Sequence, residues 1–326
     1  MYPALSVVFL TTLIGVGQGL FLALYTAQIY SLFDLLPGQD SRAFYAVGAV
    51  LSVLFLSGGL AASFFHLGRP ERAWRSAAQW RTSWLSREVI VLPLFAGLVA
   101  LYGLAHFGGW SEPLLTLPGG YAVDASLIIG AAGTLVCFAL FVCTGMVYAC
   151  VRFLQEWHSP LTVINYILLG GASGFALATA LAAVSAPTVV RFFGGWAVVI
   201  TTLALVFRVA SLIRNARIKR VSALQTAIGI KHPHIRQKAQ GFMGGSFNTR
   251  EFFHGKSAQG LRSVKWSFLV LVFPLPVLLI LAGENALSAP PLFAAFGLQF
   301  LGLIAERWFF LAQAEHPQNL YYQSIA

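Results

Sequence analysis

An all-α integral membrane protein, a bundle of eight transmembrane helices with both termini cytoplasmic, is the fold class that three features of the sequence predict. Of 326 residues, 58% are hydrophobic and only 10% are charged, whereas an ordinary soluble domain carries roughly 25% charged residues. The apolar residues come in blocks of about 20 or more, the length a helix needs to cross the hydrocarbon core. None of the blocks alternates residue by residue as a porin strand does.

Charge delimits each element in turn. Residues 1–33 contain no Asp, Glu, Lys or Arg and form the first span. No basic segment precedes it, and it is too long for the apolar core of a cleavable signal, so it is expected to be kept. Residues 43–65, 89–111, 125–151 and 157–190 follow in the same way. The sixth gap, 192–207, is short for a span and lengthens to 188–212 if Arg208 runs its guanidinium out to the interface. Residues 266–283 and 285–305 complete the set. Pro118-Gly119-Gly120, Ser159-Pro160, Ser185-Ala186-Pro187 and Ala289-Pro290-Pro291 punctuate the connections, as turn residues do. The whole chain, 1–326, thus reads as a single membrane domain. Cys137, Cys143 and Cys150 all fall in the fourth span. With no partners nearby for a disulfide or a thiolate metal site, they read as small apolar packing residues.

The basic residues orient the bundle. With eight spans, the termini and the even-numbered connections share one side. Of the 21 Lys and Arg residues, only Arg42 and Arg191 fall on the other side. Lys and Arg concentrate in the cytoplasm, so both termini and the 66–88 connection are expected there. The net charge of +10 therefore belongs mostly to one face. Much of it lies in a basic loop, 214–264, between the sixth and seventh helices, whose only acid is Glu251. Such a loop suits anionic lipid head groups or a docked partner protein. Nucleic acid is not an expected partner, because the loop matches no nucleic-acid-binding module.

The second connection carries the chemistry. His66-Leu67-Gly68-Arg69-Pro70-Glu71-Arg72-Ala73-Trp74-Arg75 leads to Ser83-Trp84-Leu85-Ser86-Arg87-Glu88, so a His closes one span and a Glu opens the next. Two proton-exchanging groups at the polar edge of a bilayer suit a lipid-soluble substrate that takes up or releases protons, above all a quinone. His66 donates and is reprotonated near neutral pH, and Glu88 at its helix start is placed to exchange protons with the cytoplasm. The plainer alternative is an interfacial His and a carboxylate held by the helix dipole. Arg72 and Arg87 are further candidates for a quinone oxygen, and Trp74 for its ring, although head-group anchoring and the interfacial aromatic belt account for such residues equally. Glu306 and Arg307 read as an ion pair closing the last span, and Asn165 and Tyr166 as interhelical hydrogen-bonding groups. Histidines are sparse: His66 and His158 fall at one end and His106 at the other. No ordinary bis-histidine pair forms, and no haem is expected.

The 66–88 motif, the opening Tyr2-Pro3-Ala4-Leu5-Ser6-Val7-Val8-Phe9-Leu10-Thr11-Thr12 and the closing Glu306-Arg307-Trp308-Phe309-Phe310 with Leu320-Tyr321-Tyr322 resemble the membrane-anchor subunit of the dimethyl sulfoxide reductase family. The likeness spans nearly the whole chain. Within the family it is most similar to the anchors of membrane-bound, cytoplasm-facing sulfite-oxidising molybdenum enzymes. The resemblance implies eight transmembrane helices and no cofactor in the anchor itself. It also implies an electron-transfer partner with four iron–sulfur clusters and a catalytic partner with molybdopterin guanine dinucleotide. Reductase members of the family use a His and a Glu for quinol oxidation, and those positions match His66 and Glu88. Orientation and the long basic loop set this chain apart from the reductase anchors.

Two classes of function follow. The first is a redox anchor in the bacterial inner membrane, passing electrons from a docked iron–sulfur protein to quinone during oxidation of sulfite to sulfate; run backwards, the same device oxidises quinol for a sulfur-oxide or N-oxide reductase. The second is a secondary transporter, which needs broken helices and polar groups at the midplane of paired repeats, and the glycines and prolines do not pair that way.

Overall fold

The structure, a computed structural model, describes residues 2–65, 67–219, 223–236, 238, 257–286 and 288–317. Among the described residues, eight helices are long and apolar enough to cross a membrane. They are α1 (Leu5–Leu32), α2 (Val47–Phe64, entered through a π-helical turn, Ser41–Ala46), α3 (Trp84–Gly108), α4 (Ala125–Ala149), α5 (Pro160–Ser185), α6 (Val190–Ala216), α7 (Ala258–Ala286) and α8 (Ala289–Ala312). Side chains start several of them. Ser83 accepts a bond from the Ser86 amide at α3, Asp124 from Leu127 at α4, and Ser257 from Gly260 at α7, each satisfying one of the amides that a helix start leaves unpaired. A two-residue antiparallel ribbon, Leu115–Thr116 with Ala122–Val123, lies between α3 and α4.

α1 and α5 form the axis of the bundle and are the most enclosed spans. The other six leave faces studded with exposed Leu54, Leu101, Leu135, Leu278 and Leu301, as lipid-facing helices do. Lipid supplies no hydrophobic force between helices, so close approach of backbones must do the work. On α1 Gly15 and Gly19, and on α5 Gly170 and Gly174, meet across the axis. A Cβ on Gly19 or on Gly174 would overlap the other helix's backbone.

α7 bends at Phe273, between Ala258–Val272 and Pro274–Ala286. Pro276 has no amide hydrogen, which leaves the carbonyl four residues back, Val272, without its helical donor. Gln299 of α8 supplies it, its Nε2 donating to that carbonyl at 3.1 Å. Broken helices persist in a membrane where a neighbour restores the lost bond in this way.

The eight predicted spans are all present, and four of the helices run past the edges of their charge-free gaps. α3 begins early enough to contain Arg87 and Glu88, α6 runs through Arg208 and Arg214, α7 starts before Arg262 and Lys265, and α8 continues past Glu306 and Arg307. Charges that are paired, or that reach the interface, do not end a helix. Of the basic loop, residues 220–222, 237 and 239–256 lie outside the described residues. Arg214 belongs to the last turn of α6 and donates to the carbonyls of Gln155 and His158, while Asn215 donates to Glu156. The end of α6 is thereby clasped to the α4–α5 connection.

Candidate functional site

The arginine-rich connection between α2 and α3 is a 3-10 helix, Pro70–Ala77, without a buried residue. Its arginines and tryptophans pair with one another at the surface. Arg75 lies over the ring of Trp74 at 5.5 Å and Arg81 over Trp80 at 5.3 Å. Arg72 is exposed and 4.0 Å from Glu71, and Trp74 is 70% exposed. Among the described residues neither is brought against Glu88. Arg87 stacks on Trp84 at 4.3 Å and donates to the carbonyls of Trp80 and Arg81, which fixes the entry into α3. His66 lies outside the described residues.

Glu88 sits in the second turn of α3 and is 9% exposed. Thr144 of α4 donates to its Oε1 at 2.7 Å. One turn further along α4, Tyr148 stacks on Tyr166 of α5, with ring centroids 5.7 Å apart. Trp157 and Phe310 close this aromatic group, the Trp157 indole donating to the Phe310 carbonyl at 2.9 Å. The carboxyl is therefore buried against α4, one turn from this aromatic group, at the same end of the bundle as the exposed arginines.

Behind the aromatic group lies a buried ion cluster. Arg208 of α6 is 1% exposed, with Nε 2.8 Å from Glu306 Oε1, and Arg307 Nη1 is 3.2 Å from Glu306 Oε2. Arg208 thus does not reach out to the interface as its sequence position implies: an ion partner on α8 and the Phe268 ring hold it inside. The expected pairing of Glu306 with Arg307 is present, joined by a second arginine. Arg307 also lies 3.8 Å over the Tyr166 ring, so Tyr166 meets a guanidinium from α8 and a ring from α4. Oδ1 of Asn165 is buried with no partner among the described residues.

A second polar group occupies the other end of α3. His106 stacks on Tyr45 at 4.5 Å, and Tyr102 donates to Gln28, which donates to Ser126 beside Asp124. From Glu88 to His106 the helix rises about 27 Å. The sequence places His106 at that end and gives it no role, because its partners beyond α3, Tyr45 and Ser41, come from the π-helical turn that leads into α2.

Chemically, the arginine-rich end offers a fixed carboxyl that can hold or release a proton, flat aromatic walls and a buried cation, all within one or two turns of the polar edge. Residues 1–233 match the family described as DMSO reductase anchor subunit. Over 330 aligned residues, spanning 100% of both chains, the sequence is 57% identical to a sulfite dehydrogenase subunit from Allochromatium vinosum.

Proposed function

Because the chain belongs to the DMSO reductase anchor subunit family, and is as such the multi-pass membrane anchor of an oxidoreductase complex, we propose that it is the subunit at which electrons reach membrane quinone during sulfite oxidation. The observation that carries this reading is the buried Glu88, hydrogen-bonded to Thr144 one turn from the stacked Tyr148 and Tyr166 at the arginine-rich end. Likeness to a sulfite dehydrogenase subunit supports sulfite as the substrate of a partner that carries molybdopterin guanine dinucleotide. An iron–sulfur protein completes the complex, docked on the same cytoplasmic, arginine-rich face.

Reduction of a quinone consumes two electrons and two protons and breaks no carbon–oxygen bond. The electrons come from the iron–sulfur partner. As negative charge grows on one quinone oxygen, Glu88 transfers its proton to that oxygen and is left as carboxylate, to be reprotonated from the cytoplasm. His66 serves the second oxygen. Thr144 holds the carboxyl in one rotamer, which keeps the donor aimed while the substrate comes and goes. The chain itself holds no haem in this scheme. Affinity purification in mild detergent, with metal analysis and sulfite-dependent reduction of a short-chain quinone, tests the reading. Co-purified molybdenum and iron with quinol formation are the expected result; a chain that purifies alone and metal-free overturns it.

A further inference from the structure

We propose that the cleft between α2 and α3, at the end of the bundle opposite Glu88, binds one anionic phospholipid, with its phosphate on Arg42 and one acyl chain lying along the cleft. The two helices touch where their residues are small: a Cβ on Gly103 of α3 would come within 2.9 Å of the Ala49 Cβ on α2. Larger side chains flank that contact, Val50 and Leu54 from α2 and Leu104 and Phe107 from α3, each more than half exposed. They wall a groove of about 570 Å³ in which Arg42 is the one charged lining residue. Sites that hold small molecules have volumes of roughly 300–1,000 Å³.

The groove has the length and the polarity of a lipid chain with its head group. Along α2 it runs from Ala46 to Leu54, a rise of about 12 Å, which is most of the roughly 15 Å depth of one leaflet's hydrocarbon. Its charge stands at one end. Arg42 is fixed there by its Nε, which donates to the Phe107 carbonyl at 3.0 Å, and by the Phe107 ring, whose centroid is 5.6 Å from the guanidinium carbon. That bond uses the Nε hydrogen alone and leaves both outer nitrogens of the planar fork to face an acceptor. Among the described residues Arg42 makes no ion pair. Asp40, the acid nearest to it in sequence, instead accepts from the Ala43 amide at the π-helical turn. A guanidinium fork at the mouth of an apolar groove is complementary to a phosphate that ends an acyl chain. A quinone offers the apolar tail and no anion, so a phospholipid is the occupant that uses both features.

The full-length chain, purified in mild detergent, stripped of lipid and offered phosphatidylglycerol or phosphatidylcholine of matched acyl chains, tests this by native mass spectrometry of the fraction that retains one lipid. Phosphatidylglycerol should be held about fivefold more tightly, the effect of one basic side chain beside an anionic head group; the choline cation of the other lipid competes with Arg42 for its phosphate. Arg42→Gln should erase the preference and Arg42→Lys should keep it. Arg191→Gln, which removes the other basic residue expected at this end, should leave the preference unchanged. Ala100→Phe places a ring in the groove and should release both lipids. Val50→Trp narrows the groove from its exposed wall and repeats the test should Ala100→Phe fail to fold. A preference that survives Arg42→Gln, or that Arg191→Gln also erases, overturns the proposal, as does lipid retention that neither groove-filling change lowers. Two other results would name a different occupant and overturn it as well: a dimer of the unsubstituted chain that the groove-filling changes split, or a long-chain quinone that displaces phosphatidylglycerol at equal concentration.

Discussion

Substituting two glycines on one face of α1 should change stability in opposite directions. Gly19→Ala places a methyl group inside the backbone of α5, against the Gly170 carbonyl and the Gly174 Cα. No side chain there can swing away, so the helices must part. Overpacking of this kind costs about 1–3 kcal/mol; the better helix propensity of alanine returns about 0.5–1 kcal/mol, leaving a net loss on the order of 1–2 kcal/mol. Gly15 belongs to the same face, yet the nearest atom to its Cβ is Gly170 Cα at 3.5 Å, an ordinary contact. Gly15→Ala should therefore be neutral or stabilising by up to about 0.5–1 kcal/mol. The assay is unfolding of the purified chain in mild detergent by increasing dodecyl sulfate, followed through its 8 tryptophans. Equal destabilisation by both substitutions, or by neither, would refute the claim that backbone contact between α1 and α5 holds the bundle together.

Gln299→Leu should destabilise by about 1–3 kcal/mol, because the Val272 carbonyl at the α7 bend loses its donor in a dry interior; accelerated amide exchange around residues 268–276 is the accompanying sign, and unchanged exchange and midpoint would contradict it. A reporter that works only in the cytoplasm, fused after Ala326, should be active and a periplasmic one silent, since all but Arg42 and Arg191 of the 21 basic residues share the side of the termini. The reverse pattern would place the catalytic partners outside and favour a reductase. Turnover in sealed vesicles should be electroneutral, because Glu88 and the proposed docking face share one side and no run of ionisable residues links Glu88 to His106 among the described residues; an uncoupler-sensitive potential that builds during turnover would show otherwise.

Much of the fold is legible in the sequence because the bilayer imposes a coarse rule: charge-free blocks of span length become helices. The rule misplaces helix ends where charges are internally compensated. Arg208 marks the edge of a gap in the sequence, yet α6 passes through it because Glu306, on a helix two spans away, neutralises it in the interior. Composition shows which segments cross the membrane and says little about which cross beside one another. The glycine pairs at 15/19 and 170/174 carry a readable spacing signal, four residues apart on two helices, but which helices they join is a tertiary fact. The candidate site divides the same way. Glu88 stands out as a lone acid at the mouth of a span, whereas Tyr148, Tyr166 and Arg307 look like a packing residue, a polar spacer and a helix-end ion. Only the stacking of the two tyrosines across α4 and α5, with Arg307 over one of the rings, gathers them one turn from Thr144, the partner of Glu88. Arg72 and Trp74 draw notice by residue type and lie exposed on the surface, where pairing and head-group contact suffice to account for them.

Whether quinone exchanges protons at the arginine-rich end is decided by paired turnover measurements on the assembled complex carrying Glu88→Gln, with His66→Ala alongside. Glutamine keeps the size of the side chain and can accept the Thr144 hydroxyl at its carbonyl oxygen, so the surrounding helices keep their contacts, while the exchangeable carboxyl proton is gone. Substrate oxidation coupled to quinone should be abolished in both variants while oxidation coupled to a soluble artificial acceptor proceeds at the unsubstituted rate; normal quinone-coupled rates in both would rule out proton exchange at this end.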